Sequence, residues 1–91
     1  MAKDVMAELV RLLDSGQLPG IASTETIEEA HVQDFPQYYR MKYPATVAVF
    51  VTKKDEASVY SYVFTKLDAR DQWTLTSAGK RLQNGEREVL K

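Results

Sequence analysis

Between Thr46 and Ala78 the chain reads TVAVFVTKKDEASVYSYVFTKLDARDQWTLTSA, and this stretch decides the fold. Thr46 to Thr52 is β-branched and apolar, Ser58 to Leu67 repeats β-formers, and Gln72 to Ala78 does so again. The separators, Lys54 to Ala57 and Asp68 to Asp71, are short and polar. Three antiparallel strands joined as a meander follow from that punctuation. If each separator is a four-residue loop, Lys53 lies opposite Ser58 and Leu67 opposite Gln72. That register puts Val47, Val49, Val51, Tyr60, Tyr62, Phe64, Trp73 and Leu75 on one face. The other face receives Ala48, Phe50, Thr52, Val59, Ser61, Val63, Thr65, Thr74, Thr76 and Ala78, a smaller and more mixed set.

The bulky face needs a cover, and the N-terminus supplies one. From Ala2 to Asp14, Val5, Met6, Leu9, Val10, Leu12 and Leu13 recur at helical spacing, with Lys3, Asp4, Glu8 and Arg11 on the remaining side. Gly16 suits the left-handed position that ends a helix, and Pro19 forbids its continuation. Residues 26–34 fit two templates. Thr26-Ile27-Glu28-Glu29 has the form of a helix capping box, while Ile27 to Val32 reads as a strand; the leaning is to an edge strand. After Ala78 the chain turns polar, and Asn84-Gly85 marks a turn before a final short strand or frayed tail. The expected architecture over residues 1–91, a single domain, is α+β: an N-terminal helix packed on a curved antiparallel sheet of three to four strands.

Composition narrows the chemistry. Ninety-one residues allow one small core. Without cysteine there is no disulfide, thiolate nucleophile or cysteine-ligated metal. No run of about 18 apolar residues exists to span a bilayer, and Asp4 and Glu8 interrupt any secretory leader, so a cytoplasmic protein of bacterial style and no membrane partner are expected. A trimmed exported protein restarted at Met1 would read the same. The net charge of −1 argues against nucleic acid. Charge is nonetheless uneven: residues 1–34 hold two basic against seven acidic side chains, a balance of −5 that leaves +4 for residues 35–91. Lys80, Arg81, Arg87 and Lys91 with Arg40 and Lys42 form a candidate basic patch, diluted by Glu86 and Glu88.

Catalytic signals are sparse. His31 is the lone histidine, and Asp34 supports it as a general base only if the segment is helical; in a strand the two point to opposite faces. The four glycines make no phosphate cradle, no serine sits in a nucleophile elbow, and no ligand spacing implies a metal. No catalytic residue, metal or cofactor is therefore expected, and the reading leans towards a non-enzyme.

One helix followed by a meander that closes on Asp71-Gln72-Trp73-Thr74-Leu75-Thr76-Ser77-Ala78 resembles the cystatin-like and nuclear-transport-factor-like folds. The resemblance covers the element order over most of the chain and a motif of eight residues. It implies an α+β fold with the sheet curved round its helix. Members of the larger group carry more helices and a longer chain, which enclose a conical pocket for isomerase, dehydratase or ligand-binding roles.

Two functional expectations follow. The first is a small non-enzymatic module that binds a protein partner or itself, with a homodimer through the sheet, face to face or along an edge, and Phe50, Val59 and Val63 at the interface. The second is a small-molecule-binding or enzymatic pocketed domain, in which His31, Tyr38, Tyr39, Tyr43 and Tyr60 would line an opening beside the helix.

Overall fold

A computed structural model describes residues 2–34, 45–66 and 72–91. Helix α1 (Ala2–Asp14) precedes strands β1 (Ile27–Asp34), β2 (Ala45–Lys53), β3 (Val59–Lys66), β4 (Thr74–Arg81) and β5 (Arg87–Val89). The strands pair antiparallel in sequence order, β1-β2-β3-β4-β5, a plain meander. The fold is α+β as expected, with five strands among the described residues rather than three to four. Both doubtful segments joined the sheet: β1 satisfies the free edge of β2, and three residues of β5 do the same for the last three of β4. Among the described residues no helix is long and apolar enough to cross a membrane.

Of the stretch 26–34, Ile27–Asp34 forms strand and Thr26 ends a 3-10 turn, because the capping chemistry is used upstream. Ser23 Oγ accepts from the Glu25 amide at 3.2 Å, and the Thr26 hydroxyl donates to the Ser23 carbonyl at 2.8 Å, closing a single 3-10 turn at Thr24–Thr26. The chain leaves that turn extended, and Ile27 and Val32 then lean on the core from the edge.

Helix α1 presents Val5, Leu9, Leu12 and Leu13 to the sheet, all buried. It ends where the sequence says it must: the Gly16 amide donates to Leu13 O at 3.1 Å and the Gln17 amide to Leu12 O at 2.8 Å, with Gly16 at φ +75°. These are the two bonds of a Schellman cap, and only glycine takes that φ without cost. The loop beyond adds Leu18 and Ile21 to the core and accepts one buried polar group, since the Tyr62 hydroxyl donates to Pro19 O at 2.6 Å. Burial around that phenol pushes its ionisation well above the usual tyrosine range.

The β2–β3 register is the one read from the loops, with Thr52 opposite Val59 and Val47 opposite Phe64. All eight residues assigned to the bulky face are buried, Tyr62 and Phe64 completely. Between β3 and β4 the expected register holds only at the start, where Phe64 faces Leu75. It then slips by one, so that Val63 faces Ser77 and Tyr62 faces Ala78. Thr76 is the extra residue of this bulge, its hydroxyl donating to Val63 O at 3.2 Å. The expectation that Ala78 lies on the second face is thereby corrected: it is fully buried in the helix-side core.

Candidate association surface

On the face turned away from α1, cross-strand partners line up in rows. One row runs Glu29, Thr52, Val59, Arg81, Arg87 from β1 to β5. The next runs His31, Phe50, Ser61, Gly79, Val89, and a third Gln33, Ala48, Val63, Ser77. Because partners in a ladder project to the same side, these side chains share one surface. Its middle is apolar and its two edges carry opposite charge.

Phe50, Val59 and Val63, the expected interface residues, stand together there and are each only half-buried. With Ala48, Ser61, Arg81 and Arg87 they line an open hollow of about 470 Å³. Arg81 and Arg87 are direct cross-strand partners, an arrangement that like charges disfavour. Gly79 makes room for one of them: a Cβ there would come within 2.6 Å of Arg87 Nε, so the Arg87 side chain lies flat across the glycine.

Of the other expected site residues, the two that are described, His31 and Tyr60, lie on opposite faces of the sheet. His31 is exposed on the outer face beside Phe50, whereas Tyr60 is buried on the helix side, opposite Val51. A single opening lined by both does not form. Tyr38, Tyr39 and Tyr43 lie outside the described residues, as do Arg40 and Lys42. Tyr60 is already engaged, with Lys53 Nζ 4.8 Å and Lys80 Nζ 5.4 Å from its ring centre and its hydroxyl 3.3 Å from Glu56 Oε1. Lys80 Nζ reaches the same Glu56 oxygen at 3.1 Å. The Lys80 ammonium, aided by the Tyr60 hydroxyl, holds the Glu56 carboxyl below the usual carboxylate range against partial desolvation. Glu56 in turn raises Lys80. With a partly exposed side chain on each partner, the pair tethers the β2–β3 loop to β4 rather than forming a reactive centre.

The basic cluster read from the sequence is therefore divided by the sheet. Lys80 joins Glu56 on the helix side, and Arg81 and Arg87 stand on the outer face. Sequence reasoning named both arginines only as members of a diffuse patch and missed Glu29 as their counterpart on the far edge. The strand order alone, with acidic β1 and basic β5 at opposite ends, was the signal. Among the described residues no group of three His, Asp or Glu side chains gathers into a metal-binding cluster. No family model, curated protein or solved structure matches the chain.

Proposed function

We propose that the chain is a non-enzymatic association module whose working surface is the outer face of the sheet, and that its first partner is a second copy of itself. The observation that carries this is the half-buried Phe50, Val59 and Val63 at the centre of a five-stranded face, with the one described helix committed to the opposite side. A sheet with one solvated face ordinarily alternates apolar with polar side chains, and this face does not keep to that rule.

Face-to-face packing is favoured over edge pairing. The β1 edge exposes Glu28, Glu29 and Asp34, so strand-to-strand addition of two copies would set acidic residues against each other. The β5 edge offers three residues. The helix set against one face of an antiparallel meander supports a cystatin-like lineage, and we carry that likeness forward as part of the proposal. The pocketed, enzymatic variant of the fold has less support, because the helix-side face is filled by Tyr62, Phe64 and Val49 with essentially no exposure. Light-scattering mass across a concentration series tests the proposal. Wild type should approach twice 10.3 kDa, and Phe50→Lys should return it to 10.3 kDa with unchanged helix content. A wild-type chain at monomer mass up to high micromolar concentration overturns it.

A further inference from the structure

We propose that the two copies pack with their two-fold axis parallel to the strands, so that Glu29 of each meets Arg87 of the other at both ends of one row; this rests on the face-to-face reading above. The sheet has a charge gradient across its strands. On the outer face its β1 edge carries Glu29, while its far side carries Arg81 and Arg87, which have no ion partner among the described residues. Two aligned arrangements of stacked sheets have two-fold symmetry. An axis across the strands stacks β1 on β1 and β5 on β5, placing like charges together. An axis along the strands reverses strand order in the second copy and stacks β1 on β5. Only the second turns the gradient into complementarity.

The row positions carry the argument further. Glu29 and Arg87 occupy the two ends of a single cross-strand row whose middle member, Val59, lies on the central strand. A two-fold axis over β3 therefore exchanges the two ends and leaves Val59 near its own counterpart. In the adjacent row the same operation brings Phe50 over Gly79, where the Arg87 guanidinium lies flat. The ring then has a planar cation to stack on, and the unbalanced arginine pair gains a carboxylate and an aromatic face at once. Four strands of eight or nine residues and one of three, about 4.8 Å apart, present about 570 Å² per copy, at the low end of specific interfaces.

Symmetry supplies a test that separates this geometry from association in general. Glu29→Arg sets arginine against Arg87 twice per dimer, and Arg87→Glu sets glutamate against Glu29 twice. Each variant alone should weaken self-association about tenfold or more in sedimentation velocity. An equimolar mixture of the two restores both ion pairs in the heterodimer, which should form within about threefold of wild-type affinity. Circular dichroism of each variant confirms that it is folded before mixing. If wild type dimerises but the mixture stays as weak as its components, the axis and the Glu29–Arg87 pairing are wrong while face-to-face association stands. If wild type itself does not dimerise, both readings fall.

Discussion

Leu9→Ala probes the helix–sheet core directly, because Leu9 is 1% exposed and packs in the same cluster as Trp73, Tyr62 and Phe64. Removing three carbons loses about 2.4 kcal/mol of transfer free energy at about 0.8 kcal/mol per buried methylene. A void of about 60 Å³ left unfilled adds roughly 1.4 kcal/mol. The sum, near 4 kcal/mol, falls inside the roughly 2–5 kcal/mol seen for such truncations and approaches half the stability of an ordinary small domain. The melting temperature should fall by about 15–30 °C, at about 4–8 °C per kcal/mol for a chain of this size. Trp73 is the sole tryptophan and 3% exposed, so its fluorescence reports the transition in urea. Wild type and variant should be compared at equal protein concentration, since self-association adds to apparent stability. A lower urea midpoint at unchanged slope is expected. A loss below about 1 kcal/mol, or native emission of a hydrated indole, would refute the packing of α1 on this face.

Gly16→Ala should cost about 1 kcal/mol in urea, entirely through the left-handed backbone of the helix cap, since no neighbour lies within 4 Å of the added methyl. Acid sensitivity should trace partly to Glu56. A carboxylate lowered in the folded state stabilises above its ordinary value of 4.5 and loses that contribution as pH falls through the lowered value. The urea midpoint of wild type should thus drop further than that of Glu56→Gln between pH 6 and about pH 3, and parallel curves would count against the Lys80–Glu56 pairing.

Much of the fold was legible because its strongest signals are chemically one-sided. Tyr60, Tyr62 and Phe64 alternate with smaller residues along β3, so the register that sets them against Val51, Val49 and Val47 is the one that gathers the bulkiest row in one core. Gly16 and Pro19 stop the helix for reasons of backbone geometry that no tertiary context reverses. Residues 26–34 were harder, since capping and strand patterns coexist there and the choice depends on the free edge of β2, a non-local partner.

The slip between β3 and β4 was illegible for a different reason, and it governs the candidate surface. Thr76, Ser77 and Ala78 are small enough to sit on either face, so an extra residue among them leaves no mark on the hydrophobic pattern. Without the bulge, Ala78 and Lys80 would stand on the outer face and Gly79 and Arg81 on the helix side. With it, Lys80 reaches Glu56 and the Tyr60 ring, while Gly79 and Arg81 come to the outer face beside Arg87. One inserted residue thus exchanges a lysine that is neutralised on the helix side for an arginine that joins a second across the ladder. It also places the one side-chain-free position of β4 where Arg87 can lie flat. The charge gradient from Glu29 to Arg87 exists only in this register. A regular ladder that kept Thr76 in step opposite Val63 would return Arg81 to the helix side and remove half of the cationic edge, whereas deleting Thr76 would remove the bulge and leave Arg81 opposite Val59; the extra residue is therefore as much a determinant of the proposed pairing as the charged residues themselves.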